Sequence, residues 1–101
     1  MKKIINGKRY DTETAKAVGK TSYSYPGNFE HWIEELYLKK TGEFFIHGVG
    51  GPMSKYSRSA GSNTITGGEE IIPLTVKEAR EWVETYLSAE EYEEIFSTCE
   101  E

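Results

Sequence analysis

Two helix-start signatures near the C-terminus constrain this chain more than anything else in it. Thr75-Val76-Lys77-Glu78 and Ser88-Ala89-Glu90-Glu91 are both capping boxes. In each, a hydroxyl accepts from the third helical amide while the Glu side chain reaches back to the amide of the cap. Behind the first box, Val76, Ala79, Val83 and Tyr86/Leu87 recur at helical spacing, with Trp82 widening the stripe. Behind the second, Tyr92, Ile95 and Phe96 take one side, and Glu90, Glu91, Glu93 and Glu94 take the other. Two boxes so close together require a bend near Leu87-Ser88. The helix pair thus occupies residues 75–98, and strands and turns account for most of the rest.

The upstream residues fit that requirement. Ile4-Ile5 and Tyr10 flank Asn6-Gly7, the strongest two-residue hairpin signal because both positions tolerate a positive φ. Asp11 then reads as the cap of a short helical turn over Thr12–Ala17, stopped by Gly19. An extended reading of the same stretch stays open, since Thr12 and Thr14 favour strands. Lys20–Tyr25 alternates polar and aromatic residues before Pro26-Gly27-Asn28 breaks the chain. In a second hairpin, Trp32–Leu38 runs into Lys39-Lys40-Thr41-Gly42 and Glu43–His47 runs out. Phe44 and Ile46 share one face, Phe45 and His47 the other, so large residues on both sides make this hairpin central in its sheet. Residues 49–69 read as a Gly/Ser-rich loop, and loops of that length are usually functional or mobile. Ile71-Ile72 returns as a short strand over 70–74 before Pro73 ends it. The expected fold class is α+β in one domain: an antiparallel sheet built from β-hairpins (1–48), with a C-terminal helix pair packed on one face.

At 101 residues the core is modest, but seven Tyr, four Phe and two Trp suffice to build one. No apolar run reaches the ~20 residues needed to span a bilayer. The N-terminus lacks the apolar stretch of a secretory signal, so a cytoplasmic location without membrane attachment is expected. The single Cys99 forms no internal disulfide and reads as a bystander thiol.

Charge is divided unequally along the chain. Residues 1–60 hold ten of the twelve Lys and Arg against six acids, whereas residues 61–101 hold Lys77 and Arg80 against eleven Glu. That split points to two faces with different partners rather than to uniform acidity. Glu81, Glu84, Glu90, Glu91, Glu93 and Glu94, with Glu78, Glu100 and Glu101, form an anionic band on the helices. Such a band reads either as a solvated face or as a surface that enters a basic groove normally holding nucleic acid. The alternative candidate surface is basic. Lys39, Lys40, Lys55, Tyr56 and Arg58 offer cations beside stacking aromatics, extended by Lys2, Lys3, Lys8 and Arg9 if the first hairpin lies alongside.

Catalytic signatures are weak throughout. His47 beside Ser54, Ser57 or Ser59 lacks a third group to orient an imidazole and reads as a sheet-edge histidine. His31 and His47 sit on different strands with no cysteine nearby, which argues against zinc. Gly48-Val49-Gly50-Gly51-Pro52-Met53-Ser54-Lys55 superficially suggests a phosphate loop, but Pro52 interrupts it and no Gly-Lys opens a helix. A weaker anion site from Gly amides, Lys55, Arg58 and nearby hydroxyls stays open. No enzyme, cofactor or metal is expected.

Several segments together carry a resemblance: Lys2-Lys3-Ile4-Ile5-Asn6-Gly7-Lys8-Arg9-Tyr10-Asp11, Leu36-Tyr37 with Lys39-Lys40-Thr41-Gly42-Glu43-Phe44-Phe45, Gly50-Gly51-Pro52-Met53-Ser54-Lys55-Tyr56, and Ile71-Ile72-Pro73-Leu74-Thr75 leading into Glu78-Ala79-Arg80-Glu81-Trp82. Over nearly its whole length the chain resembles a group of proteins of about this size encoded by phages, plasmids and conjugative elements of Gram-positive bacteria. The group carries no catalytic assignment and no site residues to transfer. The resemblance implies a setting in which small acidic accessory proteins inhibit host defence, anti-CRISPR proteins among them. The leading expectation is a non-enzymatic inhibitor, anti-CRISPR-like, binding a host protein such as a CRISPR effector or another nucleic-acid enzyme through its acidic surface. The alternatives are a nucleic-acid-binding accessory protein and a binder of a small phosphorylated ligand.

Overall fold

Alternation along the second hairpin decides the architecture, because it leaves two apolar faces to cover. The computed structural model describes residues 1–96; Cys99, Glu100, Glu101 and the expected helix end at 98 lie outside the described residues. The elements are β1 (Lys2–Ile5), β2 (Lys8–Asp11), β3 (Lys16–Tyr23), β4 (Trp32–Leu38), β5 (Phe44–Gly50), β6 (Arg58–Gly61), β7 (Thr64–Thr66), β8 (Gly68–Leu74), α1 (Val76–Tyr86) and α2 (Ala89–Phe96). The main sheet has four antiparallel strands in the order β3-β4-β5-β8, so the second hairpin is central. β1–β2 and β6–β7 form two further two-stranded sheets. The fold is α+β, with both helices packed on the main sheet.

Leu36, Phe44 and Ile46 point to one face and are buried beneath Ala79, Trp82 and Val83 of α1, with Tyr92, Ile95 and Phe96 of α2 against the same cluster. Phe45 and Tyr37 point to the other face, where Tyr10 of the first hairpin and Ile71 of β8 bury them. Tyr37 stacks on Phe45 with ring centroids 5.2 Å apart, and Tyr10 meets Phe45 edge-on at 5.5 Å. The first hairpin is therefore a cover on the opposite face from the helices, not an extension of the sheet. Its turn is the mirror-image type that matches strand twist, with Asn6 and Gly7 both at positive φ (51° and 77°).

Both capping boxes form. Thr75 Oγ1 accepts from the Glu78 amide at 3.1 Å, and the Thr75 amide donates to Glu78 Oε1 at 2.9 Å. Ser88 and Glu91 repeat the arrangement, so the chain bends at Leu87-Ser88.

Five local expectations are corrected. Asp11 caps only a single turn, accepting from the Glu13 amide at 2.9 Å through Oδ1, before β3 begins at Lys16. Pairing with β4 wins over helix, and Gly19 is a strand residue under the Leu87 side chain rather than a helix stop. Residues 49–69 are not a plain loop: β5 runs on to Gly50, β6–β7 forms a hairpin, and β8 already starts at Gly68. Pro73 does not end β8, which is an edge strand and can place a residue without an N–H where no ladder bond is needed. His47 lies within central β5, not at a sheet edge, and bonds Glu69 Oε2 at 2.8 Å.

Phe45 is fully buried. Phe45→Ala is expected to cost about 3–5 kcal/mol in urea unfolding. Ile65→Ala, on the exposed β6–β7 hairpin, should stay within about 0.5 kcal/mol of wild type.

Candidate functional site

Trp32, Glu34 and Leu36 alternate onto the helix-side face of β4, which places a carboxylate where the pattern calls for an apolar residue. Glu34 is 3% exposed and fully engaged. Trp82 Nε1 of α1 donates to Oε1 at 2.9 Å, Lys55 Nζ lies 2.8 Å from Oε2, and the Tyr56 hydroxyl donates to Oε2. Burial pushes the Glu34 carboxyl upward, but hydrogen bonds from Lys55, Tyr56 and Trp82 outweigh it, and the net shift is below the ordinary carboxylate range. The Tyr56 hydroxyl is pushed well above its ordinary value by burial and by donation to Glu34.

The glycines of this region have a packing role. A Cβ at Gly48 would overlap the Tyr56 ring, so the bare backbone of β5 is the floor on which Tyr56 lies. Ser54 is buried over Gly50, donating to the Gly51 carbonyl at 2.7 Å and accepting from the Tyr56 amide at 3.1 Å. Residues 51–57 thus fold back over the end of the sheet. Backbone bonds from Gly51 to His31 and from Met53 to Phe29, each 2.8 Å, tie them to the 24–31 loop.

This fold-back gathers aromatic residues at one end of the helix-side face. Tyr23 stacks on Trp32 (5.9 Å), Tyr86 meets Trp32 edge-on (5.9 Å), and Lys55 Nζ sits 4.1 Å above the Trp32 ring. Tyr23 is 50% exposed, and Tyr25, Phe29 and Met53 on the adjoining loops are each about two-thirds exposed. Clustered exposed aromatic and Met side chains are the residue types that anchor protein interfaces.

The acidic candidates lie on the helices that cover this face of the sheet. Glu81 and Glu84 are exposed on α1, and Glu90, Glu91, Glu93 and Glu94 are exposed on α2. Glu91 serves the second capping box. Among the described residues no ion pair engages Glu81, Glu84, Glu90 or Glu94.

The basic candidates are not brought together. Lys39 and Lys40 sit at the β4–β5 turn, whereas Lys55, Tyr56 and Arg58 lie at the other end of those strands, roughly 20 Å away at 3.3 Å per strand residue. Lys55 is held by Glu34 and Tyr56 is buried, so neither is a free recognition group. Arg58 donates to the Glu69 carbonyl at 3.1 Å. Lys39 and Lys8 both lie 3.0 Å from Glu43, which with Thr41 draws that carboxyl down to about 2. Lys8 shows that the first hairpin does lie alongside the turn, and the two covers of the sheet differ in net charge. Residues 1–16 carry five cations against two acids, and the helices, 76–96, carry two cations against seven acids.

Sequence reading missed Glu34 and the aromatic cluster. A period-two count along Trp32, Glu34, Leu36 and Leu38 holds the clue to the first, a charge on an apolar face. Tyr23, Trp32 and Tyr86 meet only through tertiary contacts. Among the described residues no group of His, Cys, Asp and Glu is arranged to hold a metal ion, and no helix is long and apolar enough to cross a membrane. No known protein family, curated protein or solved structure matches this chain.

Glu34→Ala strands Lys55, Tyr56 and Trp82 and is expected to cost about 3–5 kcal/mol. Both Glu34 and Glu43 titrate lower in the fold than in the unfolded chain. Their stabilisation is therefore complete above the unfolded carboxylate value of about 4.3 and is lost as pH falls through the folded values. Urea midpoints should drop between about pH 5 and pH 2, with a shallower slope in Glu34→Gln. A slope unchanged by that substitution would contradict the role given to Glu34.

Proposed function

We propose that this chain is a non-enzymatic binding protein that engages a basic, nucleic-acid-handling host protein through its helix-side surface. The observation that carries this reading is the excess of glutamates on the helices, four of which have no cationic partner in the described chain. Capped helices display these charges from a rigid support, where they raise association rates toward a basic groove. The aromatic cluster on the same face of the sheet supplies the apolar contact that charge alone does not, since hot spots are built from Trp and Tyr in desolvated pockets. In the setting implied by the resemblance, the partner is a defence effector such as an RNA-guided nuclease, and occupation of its nucleic-acid channel is the inhibitory step.

Direct nucleic-acid binding is the weaker reading. Its cations divide between two ends of the sheet, and several are neutralised by Glu34 and Glu43.

The test pairs wild type with a variant carrying Glu81→Lys, Glu84→Lys, Glu90→Lys and Glu94→Lys as baits in nuclease-treated host lysate. A second variant, Tyr23→Ala with Tyr86→Ala, probes the aromatic cluster. Basic nucleic-acid proteins should be retained by wild type at moderate salt and lost with the charge-reversed bait. The aromatic variant should weaken retention at least tenfold, the scale of one interface hot spot. Equal capture by all three baits would overturn the proposal.

A further inference from the structure

Where the first hairpin meets the β4–β5 turn it leaves a cavity of about 220 Å³ on the side of the sheet away from the helices. Its wall includes Arg9 and Asp11 of β2, Thr14 of the following turn, and Lys39, Lys40 and Thr41 of the β4–β5 turn. Three cationic residues and Asp11 thus line one concave space.

These groups are not equivalent. Lys39 is fixed: its side chain is only 15% exposed, with Nζ 3.0 Å from Glu43 Oε1 and 4.3 Å from the Tyr10 ring centroid. Arg9 and Lys40 are exposed, and among the described residues neither belongs to an ion pair. The Thr41 hydroxyl donates to Glu43, whereas no hydrogen bond of the described structure uses the Thr14 hydroxyl. Asp11 accepts from the Glu13 amide through Oδ1. No hydrogen bond among the described residues uses its Oδ2.

We propose that this cavity binds a small phosphomonoester bearing a hydroxyl near the phosphate, of the sugar-phosphate class. Arg9 and Lys40 hold the phosphate oxygens by charge-assisted hydrogen bonds, and Thr14 adds a neutral donor. Asp11 sets the selectivity. It repels an anion that carries no donor and accepts from the ligand's hydroxyl when one is present, so sulfate is disfavoured relative to a phosphorylated sugar. The cavity is smaller than most ligand pockets and suits a compact ligand of this kind. This site lies on the opposite face from the proposed protein-binding surface and does not depend on it.

Ribose 5-phosphate, sodium sulfate and a single-stranded oligonucleotide without terminal phosphates are the probes, titrated calorimetrically into the full chain at low salt. Ribose 5-phosphate should bind saturably with one-to-one stoichiometry and at least tenfold more tightly than sulfate. Arg9→Gln and Lys40→Gln should each weaken it about tenfold, the scale of one charge-assisted hydrogen bond. Neither side chain supports the fold, so both variants should unfold at the wild-type temperature. Asp11→Asn should narrow the gap between ribose 5-phosphate and sulfate. Lys20→Gln, removing an exposed cation on β3, should change nothing. The proposal is overturned by any of three results: no saturable binding of ribose 5-phosphate, affinity unchanged by Arg9→Gln and Lys40→Gln, or oligonucleotide binding that Lys20→Gln weakens as much as they do.

Discussion

One buried carboxylate sets the terms for much of this structure. Glu34 lies on a central strand where water cannot solvate it, so its charge is tolerable only with donors on both oxygens. Those donors come from two separated places, Trp82 on the first helix and the Lys55-Tyr56 pair in the fold-back segment. Satisfying one group therefore fixes the rotation of the helix over the sheet and the path of residues 51–57 together. The aromatic cluster follows from the same requirement. Trp32 neighbours Glu34 on the same face of β4, Lys55 reaches Glu34 across the Trp32 ring, and Tyr86 lies one helical turn beyond Trp82.

The main sheet also separates charge. Because its central strands are apolar on both faces, each face needed its own cover, and the two covers differ in sign. The helices bring glutamates and the first hairpin brings lysines and Arg9. A net charge of −5 conceals this arrangement, since opposite charges held apart by a sheet do not cancel at short range. The two surfaces can accordingly meet unlike partners without interfering electrostatically at close contact.

Much of the fold was legible from local signals. The capping boxes at Thr75 and Ser88, the Asn6-Gly7 turn and the two-faced second hairpin all rest on interactions spanning a few residues, so their chemistry is written in adjacent positions. The corrected segments depend on distant partners. Gly48 and Gly50 read as flexibility in isolation, yet their reason is Tyr56 and Ser54 lying above them. Gly19 reads as a helix stop until Leu87 is seen against it. Among the candidate site residues, the exposure of the acids was legible because helical spacing projects them outward. Lys55 and Tyr56 were misleading because their partner, Glu34, is twenty-odd positions away in sequence.

The β6–β7 hairpin has no buried residue, and it begins just past the segment anchored by Glu34. Chain geometry there is set by its own ladder and by Arg58 at its base, not by the core. Length at its Ser62-Asn63 tip is thus nearly decoupled from folding energy, as at other exposed loop tips. Across related sequences this tip could lengthen, shorten or acquire a new recognition element while the sheet, the helices and both charged faces stay unchanged. It is the natural place for such a chain to diversify.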